Sequence, residues 1–328
     1  MSASRYDHPM PRTAACRPAR RADAAPVSTV PRRRLHSWRT TIAVVMAAVV
    51  CLAALLYATG CAPFGPTVSF DGLNSRYAML IDADSGEVIE SRDADARMYP
   101  ASLTKVMTAV VVLDHAEALD DVVEAPADMF PALWEQNASM AGLQPGESAT
   151  VEDMLYGLML PSGADCAIAL ARYVAGDVEA FVELMNRSAA ALGMSGTHFT
   201  NPTGLHDTDH YSTARDMTTL FAHAMQDDTF RTIAGSRSHT MSSASLHDGD
   251  LTVDSTVFEE LGTPFVAGGW IAAGKTGYTP EAGLCLATAA RFGVRTYILV
   301  TAGAPGDHAT SQADVDDARY VYGQIPGL

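Results

Sequence analysis

Apolar positions follow three different rules along this chain. From Ile42 to Ala58 they run almost without a break (IAVVMAAVVCLAALLYA), and no charged residue occurs between Arg39 and Asp71. A run with no polar stripe, just short of the usual spanning length, predicts a membrane-inserted segment rather than a surface helix. Beyond a Pro- and Gly-containing stretch, Tyr77–Asp82 and Glu87–Ser91 flank Ala83-Asp84-Ser85-Gly86, which predicts a β-hairpin with Gly at its turn. The middle of the chain has helical spacing over Ser102–His115, Met154–Leu160, Asp165–Val174 and Val178–Leu192, the last closed by Gly193. Thr150-Val-Glu-Asp153 has capping-box spacing, with Asp in the place of Glu, and Thr213-Ala-Arg-Asp216 opens a further helix. Strand character returns at Gly283–Phe292 and Thr296–Thr301, joined by Gly293-Val294, before a final helix at Ala313–Tyr322. Strands at both ends around a helical middle predict an α+β fold, its sheet built from the two chain ends with helices packed on it.

Charge sharpens the division of the chain. The net charge is -16, yet residues 1–41 carry nine Arg against Asp7 and Asp23, so the remainder is strongly acidic. That balance excludes a nucleic-acid surface, which needs clustered cations to displace counterions. Arg32, Arg33, Arg34 and Arg39 precede the apolar run, and positive charge there holds the N-terminus inside the cell and sends the rest out. The expected organisation is an Arg-rich cytoplasmic tail over 1–41, a signal anchor or lipoprotein signal over 42–60, a linker over 61–74 and one domain over 75–328. Ala58-Thr59-Gly60-Cys61 resembles a lipoprotein cleavage box, which makes Cys61 a candidate for lipidation. Both alternatives leave the domain at the cell membrane on the extracytoplasmic side. Cys166 and Cys285 lie in apolar segments and read as small buried hydrophobes, and no Cys or His spacing requires a metal or cofactor.

The chain has only two lysines, Lys105 and Lys275. Ser102-Leu-Thr-Lys105 sets a hydroxyl one helical turn before an amine, so the two share a face. A neutral Lys beside a Ser is an established way to make the hydroxyl nucleophilic. Losing the proton near neutral pH needs a shift of roughly 3 units, about 4 kcal/mol, which burial and a second cation would supply. Lys275-Thr276-Gly277, on a predicted strand, offers that cation, with a hydroxyl expected on the same side and glycines that admit a substrate backbone. This suits a ligand ending in a free carboxylate. Ser162, in Leu160-Pro-Ser-Gly-Ala-Asp165 between two helices, stands where a proton relay is wanted.

On these residues the sequence resembles the serine D-Ala-D-Ala carboxypeptidases, the low-molecular-mass penicillin-binding proteins. The resemblance spans about residues 77–323 and extends to Met98–Thr108, Gly142–Gly146, Val151–Ser162, Phe199–Leu205, His210–Asp216 and Gly274–Thr279. It implies a DD-peptidase fold, with an antiparallel sheet and a helical subdomain, that removes the terminal D-Ala of peptidoglycan stem peptides through an acyl-enzyme. It implies Ser102 as nucleophile, Lys105 as its base and Ser162 as proton relay. Lys275, Thr276 and Gly277 would hold the substrate, the backbone N–H groups of Ser102 and Tyr278 would form the oxyanion hole, and β-lactams would be covalent inhibitors. One position departs from the pattern: Ala164 stands where Asn is usual, and a methyl group can neither orient Lys105 nor bond a substrate amide. A weakly catalytic, peptidoglycan- or penicillin-binding module is therefore the alternative. A class A β-lactamase fits less well, because Met194–Leu205 has no acidic residue to activate the deacylating water. His206-Asp-Thr-Asp-His210 lacks the helical frame of a metal site and reads as a loop. Asp82–Gly86 has its Gly too early for a calcium loop and reads as a turn.

Overall fold

The computed structural model describes residues 38–58, 68–247, 251–307 and 309–326. Two compact units divide the chain, Met1–Ala62 and Pro63–Leu328. Residues 1–37, Cys61 and the first half of the expected linker lie outside the described residues. The first unit contributes helix α1, Trp38–Ala58. Among the described residues no helix is long and apolar enough to cross a membrane. The side chains of α1 are described only over positions 41–52, which are exposed throughout.

The second unit is laid down as β1 (Tyr77–Asp82), β2 (Val88–Arg92), two small two-stranded sheets, β3–β4 (Val122–Glu124, Ser148–Thr150) and β5–β6 (Ser238–Met241, Leu251–Asp254), and then β7 (Phe265–Val266), β8 (Gly269–Thr279), β9 (Gly283–Phe292) and β10 (Arg295–Ala304). Its helices are α2 (Thr104–His115), α3 (Phe130–Glu135), α4 (Val151–Met159), α5 (Ala164–Ala175), α6 (Val178–Ala191), α7 (Ala214–Ala224), α8 (Asp228–Ala234), α9 (Thr256–Leu261) and α10 (Ala313–Tyr322). The six-stranded sheet has the order β2-β1-β10-β9-β8-β7, and all its pairs are antiparallel. The first and last strands lie side by side in it, where β1 pairs β10 from Tyr77↔Ala302 to Asp82↔Tyr297. The sheet is thus closed by the two ends of the domain, as the strand pattern predicts.

The sheet's two faces bury separate cores. On one, Val257, Phe258, Val315, Val321 and Tyr322 of α9 and α10 pack with Leu286, Ala290 and Leu299 of the strands. On the other, α2, α4, α5 and α7 build the larger core over Ala287, Ala289, Ile298 and Val300. Burial on both faces accounts for the mostly apolar β9, which is buried at eight of its ten positions. Helix α2 lies inside the larger core: residues 104–112 are all buried, so its polar groups Thr104, Lys105 and Thr108 bond inward to the 202–210 loop rather than to solvent. Val68 and Phe70 belong to the smaller core, so the expected linker of 61–74 gives way to packed chain by Val68.

Helix starts follow the predicted caps. Thr150 Oγ1 accepts from Asp153 N at 3.2 Å and Thr213 Oγ1 from Asp216 N at 3.0 Å. The reciprocal half of the capping box is absent, because the Asp153 carboxylate accepts from His239 Nε2 at 2.6 Å and from Ser243 instead.

Candidate active site

Ser102 is not in α2. It occupies the 3-10 turn Ala101–Leu103 that leads into the helix, and Ala101 holds φ +47 there. A left-handed Ala is strained by about 1–2 kcal/mol, so the surroundings must enforce it. Two glycines do so. Gly204 (φ +81) comes so close that a Cβ on it would lie 1.9 Å from the Ala101 carbonyl oxygen. A Cβ on Gly277 of β8 would lie 3.1 Å from Ser102 N and 3.2 Å from Leu103 N. The turn bearing the hydroxyl is gripped between a loop and a strand that only glycine allows this near.

Lys105 begins one turn later and is 2% exposed. Its Nζ donates to Ser102 Oγ at 3.0 Å and to the Thr203 carbonyl oxygen at 2.7 Å. Burial lowers its pKa from 10.5 to about 7, against the opposing pull of the Asp165 carboxylate. Half-protonation near neutral pH is the state a general base requires. Asp165 is buried at the start of α5 and accepts from Ala141 N (2.9 Å), Gly142 N (3.1 Å), Leu143 N (3.2 Å) and Cys166 N (3.0 Å). Burial raises its pKa, and these backbone bonds work against that rise.

Lys275 is fully buried. Burial first and the charge of Lys105 second push its pKa well below the ordinary ammonium value, while Glu260 of α9 pulls it up. Its strand neighbours decide where the motif points. Lys275 and Gly277 pair with Ala287 and Cys285, which belong to the core on the Ser102 side. Thr276 pairs with Leu286 of the opposite core, and its hydroxyl lies 2.7 Å from Thr256 Oγ1 of α9. Cation and hydroxyl were expected on one side; the period of two along a strand separates them.

Ser162 sits between α4 and α5 at φ +64, and its buried Oγ has no hydrogen-bond partner among the described residues. Both a strained backbone and an unpaired buried hydroxyl cost stability, and such costs gather at functional sites. Ala164 is 1% exposed and donates its N–H to the Ser139 carbonyl at 2.7 Å. Tyr278 pairs with Leu284 one residue beyond Gly277, at the end of β8 that meets the Ser102 turn.

The sequence did not point to the residues that hold Lys105 in place. Asn201 Oδ1 accepts from Thr203 N, Thr203 Oγ1 and Gly204 N at 2.8–3.1 Å, which shapes the loop so that the Thr203 carbonyl meets Lys105. His210 is buried behind it. Its Nδ1 accepts from Thr200 N (3.1 Å), which leaves the proton on Nε2 to donate to Thr104 Oγ1 (2.8 Å). Burial lowers its pKa to about 4, so the ring is neutral. A loop reading of 206–210 carried no sign of this burial, which comes from packing against α2.

The family model of the D-alanyl-D-alanine carboxypeptidases matches residues 65–306. The chain belongs to this family. A D-alanyl-D-alanine carboxypeptidase of Streptomyces sp. (strain K15) is 36% identical over 240 residues, 71% of this chain and 80% of the relative. One of Bacillus subtilis (strain 168) is 34% identical over 234 residues, 70% of this chain but 57% of that longer protein. Among solved structures, the Streptomyces K15 DD-transpeptidase is similar with a TM-score of 0.70 and 30% identity, covering 78% of this chain and 98% of its own. The D-alanyl-D-alanine carboxypeptidase of Mycobacterium tuberculosis H37Rv is similar at 0.69 and 29% identity, over 80% and 95%.

Proposed function

We propose that this protein is a membrane-tethered, extracytoplasmic serine carboxypeptidase that removes the terminal D-Ala from peptidoglycan stem peptides. The observation that carries the reading is Lys105: a buried amine with pKa near 7, bonded at once to Ser102 Oγ and to a fixed carbonyl. In this mechanism neutral Lys105 takes the Ser102 proton as Oγ attacks the penultimate carbonyl carbon. The backbone N–H groups of Ser102 and Tyr278 stabilise the oxyanion, and Ser162 hands a proton to the departing D-Ala amine. Water then hydrolyses the acyl-enzyme. Lys275 takes the terminal carboxylate by turning its Nζ from the Thr276 carbonyl oxygen, to which it donates at 2.8 Å. Thr276 joins it only by turning its hydroxyl proton from Thr256 to the substrate, because the Thr256 proton is directed at Leu160 O (3.3 Å). β-Lactams would be trapped on Ser102 by the same attack.

The segment 42–58 supports the tether, through its unbroken apolar run after four Arg. A non-catalytic binding module is disfavoured by the Thr203 carbonyl, which orients Lys105 without an Asn at position 164. The test is release of D-Ala from a D-Ala-D-Ala stem peptide, with Ser102→Ala as control. Release that depends on Ser102, together with a penicilloyl adduct mapped to the Ser102 peptide, is the expected result. Adduct without release would establish the binding module.

A further inference from the structure

Large apolar side chains are unevenly exposed over the second unit. Val88, Phe265, Trp270 and Val294 are 43%, 70%, 41% and 80% exposed, whereas Val122 belongs to β3, Trp134 to α3, Leu246 to the β5–β6 connection and Tyr320 to α10. The first four gather at one end of the sheet. Phe265 and Trp270 are directly opposed across β7–β8, which puts their side chains on the same face. Trp270 pairs in turn with Arg291 of β9, and Val294 forms the β9–β10 turn three residues on. Val88 pairs with Ile81 beside the same turn, where Ala83 N donates to Thr296 O at 2.8 Å.

The chain enters the second unit at this end. Ser69 exchanges hydrogen bonds with the Gln324 side chain at 2.9 and 3.0 Å, just past the C-terminus of α10. Tyr322 lies against Phe292 with ring centroids 6.2 Å apart, and Phe292 underlies Gly269, the first residue of β8. Gly277 and Ser102 are at the other end, seven strand positions from Trp270, or about 23 Å. Only nine residues, 59–67, separate α1 from Val68. A nine-residue connection spans at most about 35 Å, so the proposed tether is short.

We infer that Phe265, Trp270 and Val294, with Arg291 beside them, form a lipid-docking tip that rests on the outer face of the membrane and turns the Ser102 cleft away from it. The inference rests on the tethered reading above. Trp and Phe partition to the membrane–water boundary, where an adjacent Arg meets lipid phosphate. Tethering on so short a connection converts weak contact into persistent contact by raising the local concentration. The acidic character of the body makes an apolar tip necessary here, since net charge alone would repel an anionic lipid surface.

The test uses the full chain with Trp38→Phe and Trp134→Phe, so that Trp270 is the one remaining indole. It is reconstituted into phosphatidylethanolamine–phosphatidylglycerol vesicles with and without lipids brominated near the headgroup. The expected result is co-flotation with the vesicles and at least twofold quenching of Trp270 emission, abolished in a Phe265→Asp/Val294→Asp variant that keeps its D-Ala release from a soluble peptide. Co-flotation without quenching overturns the docking tip and leaves the tether intact. Failure to float overturns both. Quenching lost on dilution of the protein at fixed lipid also overturns the inference, because it assigns the tip to a second copy of the chain.

Discussion

Lys105 Nζ lies 3.0 Å from Ser102 Oγ, with burial having already lowered its pKa to about 7. The amine can therefore accept the hydroxyl proton near neutral pH. The first expectation is kinetic: kcat/KM for D-Ala release rises with pH through about 7 as Lys105 loses its proton. Lys105→Arg, whose cation does not titrate, should lower the rate by 10² to 10⁴ and remove that limb of the profile.

The same burial destabilises the fold. Because the folded pKa is below the unfolded value, the unfolded chain binds more protons between pH 7 and 10.5, and wild-type stability rises with pH across that window. At pH 7 the cost is about 4 kcal/mol. Lys105→Met should therefore unfold at higher urea than wild type at pH 7, by about 1–3 kcal/mol after the loss of the Thr203 hydrogen bond. The difference should shrink towards pH 10. An equal or lower midpoint at pH 7 would contradict the assignment.

Ala164→Asn tests whether position 164 limits turnover. The Thr203 carbonyl orients Lys105 already, so kcat should change by less than tenfold. Ala164 is buried and its neighbour Gly163 is crowded, a Cβ there meeting atoms at 2.6–2.8 Å. Inserting an amide beside it should cost about 1–3 kcal/mol in a thermal melt. A rate gain of a hundredfold or more would mean the natural protein is mainly a binder.

Gly204→Ala sets a methyl against the Ala101 carbonyl oxygen, in a conformation L residues avoid. Displacing the turn by 1 Å should cost about 10²-fold in kcat/KM. Penicillin acylation, which uses the same hydroxyl, should slow in parallel.

His210 predicts the acid limit of stability. Its pKa falls from 6.5 unfolded to about 4 folded, so its contribution is complete above 6.5 and lost as pH falls through 4, worth about 3 kcal/mol. His210→Gln can donate and accept in its place but does not titrate. Urea midpoints measured from pH 7 to 4 should be flatter in this variant than in wild type.

What the sequence makes legible is local. The hairpin over Tyr77–Asp82, the bounds of Gly283–Phe292 and Ala313–Tyr322, and the one-turn spacing of Ser102 and Lys105 all follow from periodicity, turn chemistry and capping. The nucleophile's own conformation does not, because a helix extrapolated back through Ser102 misses a 3-10 turn imposed by Gly204 and Gly277 from elsewhere in the chain. The facing of Thr276 is hidden for a related reason, since a tripeptide shows its residue types but not which alternate faces which core. His210 and Thr203 act through burial and a backbone oxygen, neither of which composition reveals.

The paired glycine grip on the Ala101–Ser102 turn ties reactivity to the order of assembly. Ser102 emerges early in synthesis, whereas Gly277 comes from a strand near the end of the chain, beside the last sheet partners. A nascent or truncated chain without β8 in register holds its hydroxyl in an unshaped turn. It should stay inert to wall peptides and antibiotics until the final strands close.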